Sequence, residues 1–363
     1  MPCSGLLKFF GRPRVCREVF AAAVIASSAS LAHATASAPT AAQPTENVVN
    51  IYSSRHYDAD EKIHKMFTEA TGIKIQHVHI KDAPQMIERL KAEGASSKAD
   101  VIITVDVGNL WRAEQAGLLQ SVEIPESKDL IADSLRHPEG KWFAITQRAR
   151  VIAFNNKKHR ASEFGSYAAL IDPKFKGKVL VRSSTHVYSQ SLIASMIQHR
   201  GAAEAQKWVN GISANLARKP QGGDTDQIRA IAAGVGDLAI VNSYYVARLL
   251  QSKKPEDVEL MKNISFAFPE QDTIGTHVNI SGAAVGAHAP HRANAIRFIS
   301  FMLSNPVQEL YAEENGEYPV TKSAKMTEVL RGFGKFKADT TNLTVIGKNM
   351  PESVRMTDMS DWR

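Results

Sequence analysis

Residues 237–250 read Asp-Leu-Ala-Ile-Val-Asn-Ser-Tyr-Tyr-Val-Ala-Arg-Leu-Leu. The apolar run 238–241 has strand length, and Val246, Ala247, Leu249 and Leu250 follow almost at once on one helical face. A strand passing directly into a helix is the repeating step of α/β proteins, whose ligands sit beyond the carboxyl ends of the strands. Tyr244 and Tyr245 occupy that position. A phenol ionises near pH 10 in water, but a nearby trivalent cation stabilises the phenolate, a hard anionic oxygen ligand suited to ferric iron. The plain alternative is aromatic packing. Adjacent residues of a regular helix point about 100° apart, so the pair converges on one ion only from a loop or from the first helical turn.

The same step recurs on both sides. Residues 48–52 form a strand pattern, followed by Ile63, Met66, Phe67 and Ala70 at helical spacing and a stop at Gly72. Asp58 and Asp60 open that helix, where acids complement its dipole. Ile73, Ile75, Val78 and Ile80 suggest a second strand, residues 83–92 a helix, and residues 100–105 a buried strand leading to a helix that ends at Gly117. A second series begins at 151–154, with strands at 179–181 and 238–241 and helices near 189–198 and 225–233. Residues 264–268 and 278–282 carry the chain back, and a helix over 293–303 packs on the first lobe. The alternation predicts two α/β lobes, each a mostly parallel sheet flanked by helices, joined by crossing strands around a hinged cleft. The expected division is a signal peptide over 1–34, a flexible leader over 35–46, a first lobe over 47–148, a second lobe over 149–277, and a return to the first lobe over 278–363. The polar tail after Thr340 carries no clear pattern.

The first segment has Lys8, Arg12, Arg14 and Arg17, then an apolar stretch, then Ala32-His33-Ala34, the pattern of a secretory signal and its cleavage site. An exported chain is expected. The apolar stretch is shorter than the roughly 20 residues a membrane span needs. Both cysteines, Cys3 and Cys16, lie within the signal, so a metal site in the rest of the chain must use oxygen and nitrogen. The formal charge of +7 falls to +4 once the four basic residues and Glu18 are removed with the signal. The remaining bases, such as Lys174, Lys176 and Lys178, are scattered among acids, which argues against nucleic-acid binding.

Four of the eight tyrosines follow strands: Tyr57 after the first, Tyr188 after 179–184, and Tyr244 with Tyr245. Tyr52 falls within a strand, Tyr167 in a helical surface segment, and Tyr311 and Tyr318 near the C-terminal helices. The placement is selective. Arg148 at the first inter-lobe crossing and Arg248 one turn beyond the tyrosine pair are candidate charges to offset excess phenolate.

With these residues in view the chain resembles the periplasmic ferric-iron-binding proteins of ABC importers, which share a two-lobed type II binding-protein fold related to transferrin lobes. The resemblance rests on residues 52–60 (Tyr-Ser-Ser-Arg-His-Tyr-Asp-Ala-Asp), 99–106, 116–119, 148–152, Arg182-Ser-Ser184 with Tyr188, Asn242-Ser-Tyr-Tyr245 and Asn315-Gly-Glu-Tyr-Pro319. It is greatest to the tyrosine-rich branch of that family. It implies Tyr57, Tyr188, Tyr244 and Tyr245 as ligands of Fe(III), with His56 as a fifth. A sister branch uses a Glu just after the third strand, where this chain has Val105. That departure leaves a remaining coordination position to His56, water or a small anion such as carbonate. The resemblance further implies a periplasmic monomer that delivers iron to a membrane permease.

Two rival readings compete with it. An enzyme is disfavoured, because Ser53-Ser54 or Ser183-Ser184 with His56 or His186 lacks a nucleophile elbow and an orienting acid, and no glycine-rich phosphate loop is present. The same fold binding a small organic or phosphorylated solute would use the tyrosines as stacking walls. No histidine pair, whether His77 with His79 or His288 with His291, has zinc spacing with a third partner.

Overall fold

The apolar runs at 48–53, 101–105, 238–242 and 278–286 form strands buried on both faces, whereas the strand at 74–79 is largely exposed. The computed structural model describes residues 47–363 apart from His56, and these belong to one unit. The expected signal and leader lie outside the described residues. The chain opens with β1 (Val48–Ser53), α1 (Asp58–Thr71), β2 (Lys74–His79), α2 (Ala83–Glu93), β3 (Val101–Val105), α3 (Val107–Gln115), β4 (Leu119–Gln120) and α4 (Ser127–Leu130). The long β5 (Phe143–Asn155) leads to β6 (Val179–Leu180), α5 (Val187–Asn215), α6 (Asp224–Ala232), β7 (Leu238–Asn242), α7 (Ser243–Gln251), α8 (Pro255–Met261) and β8 (Ile264–Ala267). Then β9 (Val278–Gly286) precedes α9 (Arg292–Met302), α10 (Asn305–Asn315), α11 (Glu328–Gly332), α12 (Leu343–Lys348) and α13 (Met350–Asp358).

The strands lie in the order β2-β1-β3-β9-β5-β7-β6, with β4 also on β9 and β8 also on β5. β1 is parallel to β2 and β3, and β6 is parallel to β7. Every other pair is antiparallel. The sheets are therefore mixed where mostly parallel ones were expected. The cause lies in β9, which runs against β3 in the first strand group, and in β5, which runs against β7 in the second. β5 changes partners along its length: residues 143–149 pair with β9, and residues 150–154 with β7.

Among the described residues two large apolar cores result, beside a small cluster of Ala247, Ala312, Tyr318 and Leu330. One gathers Ile51, Ile63, Phe67, Ile102 and Phe298 around β1, β3 and α9, with α9 packed on β1, β9 and α1. The other gathers Phe154, Phe164, Phe175, Trp208 and Trp362. α1 carries Asp58, Asp60 and Glu61 in its first turn and stops at Gly72, whose left-handed backbone lets its N–H reach Thr68 O.

Three expectations need correction. Tyr167 is buried within the second core rather than on the surface, where its hydroxyl donates to Arg150 O at 2.6 Å. The helix expected over 189–198 is the front part of α5, which continues to Asn215 past a break at Gly201 (φ 79°). The unassigned tail forms α12 and α13, with Leu343, Ile346, Met350, Met356 and Trp362 buried among exposed polar neighbours. It does not simply rejoin the first lobe, since α12 packs on both α3 and α5, and α13 packs on α5.

Just before β9, Gly275 has φ +93°, and a Cβ there would stand 2.6 Å from the Ala338 carbonyl. Gly275→Ala therefore combines backbone strain with a steric clash. A loss of about 2 kcal/mol or more is expected, read as a lowered urea midpoint.

Candidate metal centre

Each candidate phenol is set by a helix start. Tyr57 is the N-cap residue of α1, Tyr188 is the second residue of α5, and Tyr244 and Tyr245 lie in the first turn of α7. β7 ends at Asn242 and α7 begins at Ser243, with no residue between them. Ser243 Oγ accepts the Ala149 N–H at 3.2 Å, tying this junction to the crossing strand.

The phenols converge. The Tyr244 hydroxyl lies 3.3 Å from that of Tyr188 and 3.5 Å from that of Tyr57. These separations exceed a good O–H···O bond of about 2.7–2.8 Å, so the main-chain positions, more than mutual bonding, gather the oxygens. The Tyr244 and Tyr245 rings stack at 4.2 Å with 30° between their planes, which meets the requirement that the pair act from a first turn. Tyr188 and Tyr244 are buried, and Tyr57 and Tyr245 are half-buried.

Guanidinium groups cover the ring faces. Arg148, Arg150 and Arg182 stand 5.4, 5.8 and 5.3 Å from the Tyr188 centroid, and Arg55 and Arg248 stand 4.9 and 5.7 Å from that of Tyr57. Because the tyrosine faces meet arginines or each other, they are poor stacking walls for an organic solute. The hydroxyl edges are what the site presents. Arg148 is fully buried, bonds Ser281 Oγ at 3.3 Å, and leaves Nε and Nη2 without partners. That leaves positive charge to offset anionic oxygen.

Burial, then Tyr188 and Glu317, push the Tyr57 hydroxyl up to about 12, outweighing the nearby Arg55. Burial and then Tyr188 likewise raise Tyr244 and Tyr245. At neutral pH these three are therefore protonated phenols. His186 goes the other way: burial, followed by the charges of Arg182, Arg150 and Arg148, lowers it to about 3. Its Nδ1 accepts the Tyr188 N–H at 3.2 Å, so the neutral ring carries its proton on Nε2.

The phenols border a cleft of about 1040 Å³ lined in part by Arg55, Tyr57, Arg182, His186, Tyr188, Tyr245 and Arg248. Val105 also lines it. The neighbouring Asp106 is turned away: it accepts the Gly108 N–H at 2.9 Å and the Ser191 hydroxyl at 2.8 Å. Among the described residues, no group of three or more His, Cys, Asp or Glu could hold a metal ion. His56 lies outside the described residues.

The sequence model of the bacterial extracellular solute-binding proteins matches residues 96–332. The chain belongs to that family. Iron uptake protein A1 of Synechocystis sp. is 42% identical over 327 residues, 90% of this chain and 91% of that protein. The major ferric iron-binding protein of Neisseria meningitidis serogroup B is 25% identical over 323 residues, 86% and 93% of the two chains. Among solved structures, a Trichodesmium protein (IdiA, FutA) in complex with iron and citrate ligands aligns with a TM-score of 0.83 at 44% identity, covering 87% of this chain and all of that one. Apo FutA2 from Synechocystis aligns equally well, at 42% identity and with coverage of 88% and 100%. The architecture of this solute-binding protein is the two-lobed periplasmic binding-protein fold.

Several neighbours of the phenols were not picked out from the sequence. Arg55 Nη2 meets Glu317 Oε2 at 3.1 Å and its Nε meets Asp60 at 3.5 Å, fixing the loop that carries Tyr57. Arg150 meets Asp224 at 2.5 Å, and Arg182 approaches the same carboxylate at 3.7 Å. Arg55, Arg182 and Glu317 sit inside motifs that were quoted, so adjacency to the tyrosines was an available signal. Asp224 had none.

Proposed function

We propose that this solute-binding protein works in the periplasm, captures Fe(III) through the phenolates of Tyr57, Tyr188, Tyr244 and Tyr245, and delivers it to an ABC permease. The observation that carries the reading is the convergence of the phenol oxygens of Tyr57, Tyr188 and Tyr244, with Tyr245 stacked beside them and the ring faces covered by guanidinium groups. Iron named with the Synechocystis, Neisseria and Trichodesmium relatives supports the cargo. Three or four phenolates on a trivalent ion leave a neutral or negative centre, which Arg148 and Arg248 offset. A water or a small anion such as carbonate completes the coordination, with His56 as the competing candidate. The protein binds its cargo without transforming it, acts as a monomer and has no nucleic-acid partner.

In this reading Tyr57 belongs to the first lobe (47–148) and the other phenols to the second (149–277), and the hinge lies where β5 changes partners and where β9 begins. Closure brings Tyr57 onto Tyr244 and signals occupancy to the permease. Adding Fe(III) to the purified protein should produce a broad visible phenolate-to-iron band that disappears on reduction or chelation. A protein that stays colourless and does not bind Fe(III) would sink the proposal.

The pH dependence follows from the raised phenols. Tyr57, Tyr244 and Tyr245 hold their protons at neutral pH, and each must lose one to coordinate. Affinity therefore falls as pH falls, with log K changing by at least about three per pH unit between about pH 5 and 8. Chelator competition, corrected for protonation of the competitor, measures the slope. A pH-independent affinity would contradict phenolate ligation.

A further inference from the structure

We infer that Trp362, the penultimate residue, is a positioning residue for Tyr188 and Arg182. The inference rests on the reading of Tyr188 as an iron ligand. The connection from β6 to α5, residues 181–186, follows a strand of only two residues, and bonds such as those of Ser183 with Thr185 and of Gln190 with Thr185 O run to near neighbours in the chain. Trp362, from far along the chain, holds it at two main-chain points. Its indole Nε1–H donates to Arg182 O at 2.7 Å, and its carbonyl accepts the Ser184 N–H at 3.1 Å. These bonds fall four and six residues before Tyr188 and on the main chain of the arginine whose guanidinium faces the Tyr188 ring.

The grip is anchored. The Trp362 side chain is 1% exposed and packs edge-on against Trp208 of α5 at 5.6 Å, and Trp208 itself donates to Tyr167 O at 2.8 Å. The chain leading to Trp362 touches both lobes. Asn342 Nδ2 bonds Asp133 O at 2.6 Å beside the first lobe, and Asn349 Nδ2 bonds Ala194 O of α5 at 3.3 Å. Directly after Asn349, Met350 fills the space at Gly108, the second residue of α3, where Val187 beside Tyr188 also packs. The C-terminal segment thus runs from the lobe that carries Tyr57 to the loop that sets Tyr188. It fixes one phenol relative to the opposite lobe without touching the ion.

The test is a double-mutant cycle on the full chain loaded with Fe(III). Trp362→Phe keeps an aromatic ring against Trp208 and the main-chain carbonyl, but removes the N–H that holds Arg182 O. Iron release to a chelator should be about 10-fold faster, within the range seen when partners that orient metal ligands are lost, and the visible band should shift. In a Tyr188→Phe background the same substitution should change release by less than about twofold, because its effect runs through Tyr188. Equal acceleration in both backgrounds would assign Trp362 a purely structural role and overturn the inference. So would a Trp362→Phe protein whose band and release match the parent while Tyr188→Phe alters both. If the parent itself forms no band with Fe(III), the iron reading fails first, and the two failures are distinct. Removal of residues 361–363 should exceed the Phe variant in effect; if that truncated chain does not fold, the Phe cycle alone decides.

Discussion

Tyr244→Phe should lower Fe(III) affinity by at least about 100-fold, the upper end of what is lost when residues that merely orient a metal ligand are removed. Tyr244 is the hub of the phenol group, since its hydroxyl faces both Tyr188 and Tyr57, and its ring is 1% exposed. Phenylalanine keeps the stack on Tyr245 and deletes only the oxygen. The fold should survive, because the hydroxyl's contacts with Tyr188 and Tyr57 are long, at 3.3 and 3.5 Å, and phenylalanine keeps the buried ring. Affinity is read by chelator competition and integrity by thermal unfolding without iron. The visible band should move or weaken as one phenolate is lost. Unchanged affinity in a folded variant would remove Tyr244 from the ligand set.

The largest effect on stability is expected from Glu317→Ala. Glu317 is 1% exposed, and its carboxylate accepts from Arg55 Nη2 at 3.1 Å, Thr146 Oγ1 at 2.8 Å and Asn315 Nδ2 at 3.2 Å. Arg55 is equally buried, and its other carboxylate, Asp60, is more distant at 3.5 Å. Removing Glu317 leaves a guanidinium in the interior with a reduced counter-charge, a situation that costs about 3–5 kcal/mol. Denaturant unfolding should show that loss. Because Arg55 also faces the Tyr57 ring, iron should be released faster as well. A variant as stable as the parent would mean that Arg55 finds another partner.

Much of the fold was legible because strands buried on both faces read as short apolar runs, as 101–105 and 238–241 do. The phenols were legible for a related reason: each follows a strand, and a tyrosine at a strand end stands out against an apolar background. The first half of β5 was hidden. Thr146, Gln147, Arg148 and Arg150 interrupt its apolar pattern, and Thr146, Arg148 and Arg150 are polar because they meet Glu317, Tyr188 and Asp224 inside the fold. The Arg150–Asp224 pair was hidden too, since partners 74 residues apart leave no local spacing, and charged residues ordinarily read as surface. Arg55 and Glu317 lay in two separately quoted motifs, and only the folded chain shows that the motifs meet. The tail escaped because its apolar residues are spaced across two short helices with polar residues between.

The contact between Tyr57 and Tyr244 joins positions 187 residues apart, in a chain whose two cysteines both lie within its first sixteen residues. An ion held by both phenols is therefore a removable cross-link, doing for the loaded protein what a disulfide does for other exported proteins. It closes a long loop only while cargo is aboard. Loaded molecules should outlast empty ones under protease, so the lifetime of the carrier would itself follow the supply of iron.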